Sequence, residues 1–302
     1  MTKKSNQFSF VAQKNGLLGV EEKYLKSPDD AKVIVVPFGL EKSVSYGGGT
    51  RLGPKAIINA SHQVELFDEE FWREAFRDYG VATLKEIKID TNIPKALKQL
   101  EEITAKILAA KKFPLILGGE HSITAGSIRP FVKKYPDLAI LHFDAHADLR
   151  DGYDGEHFSH AAALRRVMDN PISTLISCGI RNISAGEIPY LEANKKRITI
   201  HFAKDRRSWD AKKIVAPLKG RNVFLTFDLD GFDSSLMQAT GTPEPGGMMW
   251  EDALDIIREA SKICNIVGAD VVELAPVKAF HSCDFLSAKL CYKILNYALC
   301  KK

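Results

Sequence analysis

Two short acidic runs carry the residues of this chain that are best suited to binding a metal. One run, His-Phe-Asp-Ala-His-Ala-Asp, spans 142–148, and the other, Phe-Asp-Leu-Asp, spans 227–230. Each follows an apolar, strand-like stretch, and residues two apart on a strand share a face. The side chains that would project together are Asp144, His146 and Asp148 in one run and Asp228 and Asp230 in the other. Two carboxylates about 4 Å apart repel by roughly 4 kcal/mol at an effective dielectric of about 20, so the spacing predicts divalent cations between them.

A third candidate segment, Gly-Gly-Glu-His, spans 118–121 and follows the apolar run 114–117. Because two glycines allow the backbone to turn sharply between a strand and a helix, His121 should lie at a strand end near the aspartates. The predicted metal ligands are His121, Asp144, His146, Asp148, Asp228 and Asp230. With neutral imidazoles, the four carboxylates would be balanced by two divalent cations. Carboxylate and imidazole donors without thiolates favour manganese over a structural zinc site, and His142 is predicted to support these ligands from the core.

The elements that must position these residues are short strands alternating with helices. Eight apolar runs are predicted as strands, at 31–37, 80–84, 114–118, 138–144, 173–178, 198–202, 223–228 and 266–272. Amphipathic spacing predicts helices at 93–111, 252–264 and 284–299. This alternation indicates a three-layer α/β/α fold with a mainly parallel sheet of roughly eight strands, and no linker divides residues 1–302, so one domain is expected. Ligands of such sheets lie beyond the carboxyl ends of the strands, where every candidate ligand falls.

Composition and charge exclude several classes of partner. A net charge of +4 over 302 residues, with no long basic run, argues against a nucleic-acid partner. The apolar runs are shorter than the roughly 18 residues of a membrane span, so no membrane partner is expected. The five cysteines are odd in number and lack Cys-x-x-Cys spacing, which suits small buried side chains in a reducing cytoplasm.

The three segments together resemble the metal signatures of a known family. Gly-Glu-His-Ser at 119–122, Asp-Ala-His-Ala-Asp at 144–148 and Phe-Asp-Leu-Asp at 227–230 are similar to those of the ureohydrolases, which include arginases and agmatinases. Further likenesses at 49–57, 241–244 and 268–273 extend the resemblance over nearly the whole chain. The resemblance implies an arginase-like fold, two Mn²⁺ ions and assembly of identical chains into trimers or hexamers.

The resemblance also implies roles for single residues. One ion would be held by His121, Asp148, Asp144 and Asp228, and the other by His146 and Asp230 with Asp144 and Asp228 bridging. His160 would be a mobile acid–base group, Glu273 would grip a guanidinium, and Asp148 would pass a proton to the leaving amine. Two departures from the family pattern, Ala161 after His160 and Ser234 after Asp233, touch no proposed ligand and bear on the substrate more than on the chemistry.

The chemistry implied is attack of a metal-bridging hydroxide on a guanidino carbon, since metal binding lowers the pKa of water from about 15.7 toward about 7. The loop 149–160 resembles agmatinases, and its acids Asp151, Asp154 and Glu156 would form an acidic rim suited to the dication agmatine. The predicted products are putrescine and urea. Arg150 or Arg165 could instead bind a carboxylate tail. The alternatives are guanidinobutyrase, aminopropylagmatine ureohydrolase, arginase, guanidinase, a formiminoglutamate hydrolase and a metal-binding subunit without turnover.

Overall fold

The computed structural model describes residues 8–21 and 27–300. Strands in this part of the chain are β1 (Val33–Phe38), β2 (Phe67–Asp68), β3 (Arg73–Glu74), β4 (Val81–Thr83), β5 (Phe113–Gly118), β6 (Ala139–Phe143), β7 (Thr174–Ile180), β8 (Ile198–Phe202), β9 (Asn222–Asp228) and β10 (Asn265–Val272). The α-helices are α1 (Gly53–Ser61), α2 (Phe76–Tyr79), α3 (Ile93–Ala109), α4 (Thr124–Lys134), α5 (Ala163–Met168), α6 (Ile188–Ala193), α7 (Ala211–Val215), α8 (Trp250–Ile263) and α9 (Ser282–Leu299). The predicted single domain spans 1–302, so it includes residues outside the described part and stays a prediction.

Eight of these strands form one sheet in the order β4-β1-β5-β10-β9-β6-β7-β8, with every neighbouring pair parallel. Each strand overlaps one of the eight predicted runs, and the three predicted helices match α3, α8 and α9 with starts within two residues. The antiparallel pair β2–β3 was not predicted, because two-residue strands leave no periodic signal.

Apolar side chains on both faces hold the sheet between two layers of helices. In β5, Leu115 and Leu117 join one buried cluster and Ile116 joins the other, as alternation along a strand requires. Helices α1, α8 and α9 cover the first face, and α3, α4 and α5 cover the second. The three-layer α/β/α prediction is therefore confirmed.

The connections of the sheet open a crevice at its carboxyl edge. After β6 the chain moves toward β7, whereas after the neighbouring β9 it moves the opposite way toward β10. Two adjacent strands whose connections leave in opposite directions create the crevice in which ligands of parallel sheets bind. The same reversal occurs between β1 and β5.

The two glycines at 118–119 lie where β5 ends and the chain bends before the 3-10 turn that begins at His121, as predicted, and they also allow close packing. Neither has a positive φ. A Cβ on Gly119 would lie 2.0 Å from the carbonyl oxygen of Leu40, and one on Gly118 would lie 2.4 Å from Cδ1 of Ile123. A side chain at 119 would collide with the backbone of the segment after β1, whereas one at 118 would collide with the side chains of Ile123 and Val272.

Two further expectations can be compared with the described residues. Among them, no helix combines the length and apolar character that crossing a bilayer requires. The five cysteines form no disulfide; four are buried and Cys264 is half-buried.

Candidate metal centre and cavity

Four adjacent central strands bring the predicted site residues to one edge of the sheet. His121 follows β5, Asp144 follows β6, Asp228 ends β9 and Glu273 follows β10. Because these strands lie side by side in the order β5-β10-β9-β6, their carboxyl ends meet. His160 begins a short 3-10 turn after the loop that leaves Asp148.

Three carboxylates converge on one nitrogen of His121. Its Nδ1 lies 3.1 Å from Oδ2 of Asp144 and 3.2 Å from Oδ2 of both Asp148 and Asp228. None of the three is aligned to accept a hydrogen bond, and within the described residues this fully buried Nδ1 has no hydrogen-bond partner. The other ring nitrogen, Nε2, lies 2.9 Å from Oγ1 of Thr226, which fixes the ring.

The spacing of these donor atoms fits a shared cation. Ligands about 2.2 Å from an octahedral ion lie about 3.1 Å from their neighbours in the same shell. A buried nitrogen that has three carboxylate oxygens at about that separation and a hydrogen bond to none of them is what an oxygen-rich metal site requires. The donors near His121 therefore fit one divalent ion.

A second group of donors lies next to the first. Nδ1 of His146 is 3.0 Å from Oδ2 of Asp230 and 3.5 Å from Oδ1 of Asp144. Potential ligand atoms of these three residues all lie within 4.8 Å of one another. Asp144 thus directs one oxygen toward His121 and the other toward His146, as a bridging ligand would. Asp228 contacts His121 through Oδ2. Its other oxygen, Oδ1, accepts a hydrogen bond of 2.9 Å from the backbone N–H of Asp230.

Charges in this cluster are strongly coupled. Burial disfavours the charged form of His146, but the carboxylates of Asp230 and Asp144 outweigh it and raise its pKa to about 12. Burial and the negative charge of Asp144 raise the pKa of Asp148 to about 7. Burial, followed by Asp230 and Asp144, raises the pKa of Asp228 well above its usual value. So many carboxylates in one buried place favour cations, whether protons on imidazoles or metal ions.

His142 belongs to the support of the site, as predicted. Its Nε2 lies 2.8 Å from Oδ2 of Asp144, and its Nδ1 lies 3.0 Å from Oγ of Ser177. Both ring nitrogens are therefore engaged by the protein, although the ring lies close enough to His121 and Asp144 to count among potential ligands. An imidazole that hydrogen-bonds a ligating carboxylate orients it.

Glu273 lies against the same cluster in a strained backbone conformation. Its φ is +67° and that of Asp148 is +52°, in a region that non-glycine residues rarely adopt. Oε1 of Glu273 accepts a hydrogen bond of 2.7 Å from the backbone N–H of His121. Burial, with the charge of Glu120 adding to it, raises the pKa of Glu273 well above its usual value. Within the described residues, its Oε2 has no hydrogen-bond partner.

His160 lies beside the same cavity, between the loops that follow β1 and β6. Its Nδ1 is 3.3 Å from Oγ of Ser43 and its Nε2 is 3.4 Å from Oγ of Ser45. Burial lowers the pKa of His160, and the charge of Glu120 opposes that effect. A half-buried imidazole with a lowered pKa is neutral near pH 7 and is available to accept a proton.

A cavity of about 310 Å³ connects these groups with solvent, which lies at the lower end of the roughly 300–1,000 Å³ of small-molecule sites. Its inner wall is formed by His121, His146, Asp148, Asp228, Asp230 and Glu273, with His160 to one side. Its outer wall includes Ser45, Tyr46, Arg150, Tyr153, Asn182 and Thr242. Seven of the eight predicted site residues therefore line the cavity, and the buried Asp144 does not.

The predicted acidic rim is wrong. None of Asp151, Asp154 and Glu156 is among the residues that line the cavity. Asp151 instead forms a 2.6 Å ion pair with Arg166, and Glu156 accepts the backbone N–H of Phe158 at 2.9 Å. Asp151 and Glu156 thus make contacts within the protein and do not face the cavity. The charged side chain that the loop contributes to the cavity wall is that of Arg150.

Several residues of the site were missed by the sequence reasoning. Ser43 and Ser45 follow β1, and the rule that ligands lie beyond strand ends would have pointed to that loop as well. Asn182 and Glu187 follow β7 in the same way. Thr226 stands two residues before Asp228 on β9, where period-2 alternation places it on the same face.

Comparisons with known proteins give a consistent result for the chain as a whole. The arginase family profile matches residues 30–296. An N(1)-aminopropylagmatine ureohydrolase of Synechocystis is 34% identical over 92% of both chains, and an agmatinase of Bacillus cereus is 36% identical over 82% of this chain and 85% of its own. The crystal structure of an agmatine ureohydrolase of Thermoplasma volcanium superposes with a TM-score of 0.82, at 26% identity and 94% coverage of each chain.

Proposed function

The chain belongs to the arginase family, and from that premise we propose that it hydrolyses a small guanidino compound, with agmatine as the leading substrate. The products would be putrescine and urea. One observation carries the proposal: the carboxylate of Glu273 shares a cavity wall with two groups of donor atoms suited to divalent cations.

We propose that the cations are two Mn²⁺ ions. His121, Asp148, Asp144 and Asp228 would hold one, and His146 and Asp230 would hold the other with Asp144 and Asp228 bridging. The donor spacing around His121 and the two-sided contacts of Asp144 support this division. When bound, the two ions would offset the carboxylate charge and lower the pKa of a shared water from about 15.7 toward about 7.

Glu273 would bind and orient the substrate. A guanidinium is planar, stays protonated at neutral pH and donates paired hydrogen bonds to a carboxylate. Oε1 of Glu273 already accepts the backbone N–H of His121, so Oε2 is the oxygen to which a guanidinium can donate. This contact would place the guanidinium carbon beside the metal ligands.

Asp148 and His160 would move the protons. Hydrolysis adds water across the C–N bond, so one proton must leave the water and one must reach the departing amine. Asp148, whose pKa is raised by burial, would take the first proton on Oδ1 and deliver it to the amine nitrogen. His160, near the outer wall, would exchange further protons with solvent.

A second candidate substrate is a guanidino acid such as guanidinobutyrate. Arg150 lies in the outer wall of the cavity, its guanidinium 4.9 Å from the ring centre of Tyr153. It has no ion-pair partner within the described residues. A cation that lines the same cavity as Glu273 would suit a substrate with a carboxylate tail better than a dication.

Turnover of a guanidino panel tests the proposal. Protein reconstituted with Mn²⁺ should release urea from agmatine with the highest kcat/KM among agmatine, guanidinobutyrate, aminopropylagmatine, arginine and guanidine. Arg150→Gln should leave agmatine turnover within a few-fold, and it should depress guanidinobutyrate turnover if that tail binds Arg150.

Absence of urea from every panel member would contradict a ureohydrolase. Formamide from formiminoglutamate would point to the related hydrolase, and no turnover with retained metal would point to a binding subunit. Assembly into a homo-oligomer and a cytoplasmic location stay predictions.

A further inference from the structure

Glu120, the residue before the ligand His121, is a carboxylate with no exposed surface. Four donors surround it. Oε2 accepts the backbone N–H groups of Lys42 and Ser43, and Oε1 accepts the hydroxyls of Ser43 at 3.0 Å and Ser122 at 2.6 Å. The proposed mechanism does not use this group. Burying a carboxylate costs free energy, which these four hydrogen bonds must offset.

Ser43 links this carboxylate to His160. Its Oγ accepts the backbone N–H of His160 at 2.9 Å and lies 3.3 Å from Nδ1 of the same imidazole. The chain Glu120–Ser43–His160 therefore runs from the residue beside the proposed metal ligand His121 to the proposed acid–base group. It crosses between the segments that follow β5, β1 and β6.

The number of protons decides how this chain is ordered. A serine hydroxyl has one hydrogen and two lone pairs, and a carboxylate can only accept. Because a hydrogen bond to a charged acceptor is stronger, the Ser43 hydrogen points to Glu120. The lone pairs of Ser43 then accept from the backbone N–H and from Nδ1–H of His160. Ser159 Oγ, also 3.3 Å from Nδ1, can accept the same proton.

We propose that Glu120 and Ser43 are positioning residues that keep the proton of neutral His160 on Nδ1, so that Nε2 is the atom that exchanges protons with the cavity. The inference rests on the proposed function in assigning proton transfer to His160. In the other tautomer, Nε2 would carry the hydrogen and could not accept a proton. Glu120 thus acts on the reaction without touching the substrate.

Glu120→Gln is the sharpest variant, because it keeps size and hydrogen bonding but adds a donor. The amide oxygen would accept the backbone N–H groups of Lys42 and Ser43, and the amide NH₂ would donate to Oγ of Ser43. The Ser43 hydrogen must then turn to Nδ1 of His160. We therefore expect the tautomer of His160 to switch to Nε2–H.

The first measurement is the ¹⁵N chemical shift of both ring nitrogens of His160, in protein loaded with diamagnetic Mg²⁺ and assigned by comparison with His160→Asn. The wild type should show Nδ1–H, and Glu120→Gln should show Nε2–H. An Nε2–H wild type, or a tautomer that is the same in both proteins, would overturn the inference. This measurement needs no turnover.

The second measurement is steady-state turnover with Mn²⁺. Ser43→Ala and Glu120→Gln should lower kcat by on the order of tenfold or more, with KM and the Mn²⁺ content unchanged. Ser43→Thr keeps the hydroxyl, so its kcat should be close to that of the wild type and above that of Ser43→Ala. Ser208→Ala is the matched control, because Ser208 lies on an exposed turn and its hydroxyl bonds Asp205 and no other residue in the described part of the chain.

Unchanged kcat in Ser43→Ala despite a changed tautomer would also overturn the role. If the wild type itself releases no urea from any guanidino substrate, the proposed function fails, while the ¹⁵N shifts still decide how His160 is held.

Discussion

The hydroxyl of Thr226 can be removed with little change in volume by Thr226→Val. It lies 2.9 Å from Nε2 of His121, in a site where both side chains have no exposed surface. With Nδ1 directed at the three carboxylates, Nε2 carries the hydrogen and donates it to Thr226. The register places Asp270 of β10 beside Thr226, and the hydroxyl of Thr124 donates to Asp270 at 2.8 Å on the far side.

The expected cost follows from the loss of the contact with Nε2 of His121. A buried N–H left without an acceptor costs about 1–3 kcal/mol. Removing the partner that orients a ligating imidazole typically weakens metal binding by about 10- to 100-fold. We therefore expect metal-free Thr226→Val to lose about 1–3 kcal/mol of stability, and the proposed Mn²⁺ site at His121 to weaken by about 10- to 100-fold.

Two variants control for the change in shape. Thr226→Ser keeps the hydroxyl and should bind Mn²⁺ like the wild type. Thr104→Val makes the same substitution in a fully buried position of α3, where the hydroxyl has no hydrogen-bond partner within the described residues. That variant should cost little stability and leave Mn²⁺ binding unchanged.

Titration calorimetry of metal-free protein with Mn²⁺, together with denaturant unfolding, measures both quantities. An Mn²⁺ affinity of Thr226→Val within about threefold of the wild type, well short of the usual effect, would refute the reasoning. It would mean that His121 is oriented by packing alone.

Further predictions concern the second ion, the substrate and pH. Asp230→Ala should abolish urea release and reduce the bound manganese found by metal analysis toward one ion per chain with folding retained; persistent activity would exclude its role. Glu273→Gln should lower kcat/KM roughly 10- to 100-fold by removing a charge-assisted hydrogen bond, and an unchanged value would place the guanidinium elsewhere. A hydrogen bond from Arg258 lowers the pKa of Glu70 from 4.5 to about 2, so this pair stabilises the fold above about pH 4.5 and its contribution is lost as the pH falls toward 2. Glu70→Gln should therefore be less stable than the wild type at pH 6 and differ little near pH 2 in denaturant unfolding, and equal stability at pH 6 would contradict it. Saturating one site with Mn²⁺ at about 100 times its Kd should stabilise the protein by about 2.7 kcal/mol, visible as a rise in Tm that a chelator reverses.

The strands could be predicted because burial on both faces leaves continuous Val, Ile and Leu runs. Their order could not, since pairing joins residues that are far apart in sequence. β10 pairs with β5, for example, although about 150 residues separate them.

The metal-type residues could likewise be found from their spacing, since their alternation on strands is local. The residues that contact the acids of the loop 149–160 could not be predicted in this way. Asp151 pairs with Arg166 on α5, an encounter that depends on how the loop closes and that removes the predicted acidic rim. Glu273 and His160 carry no local pattern of their own, and only the family resemblance identified them.

The place of β10 in the sheet has a consequence for how the protein is made. Of the strands in the described residues it is the last to be synthesised, yet it lies between β5 and β9, which are synthesised earlier. Until residue 272 has emerged, those two strands have unpaired edges that can associate with other chains. The incomplete chain is thus most prone to aggregation at the facing edges of β5 and β9. When β10 has been synthesised it can pair with both strands, and it also places Glu273 at the carboxyl edge of the sheet.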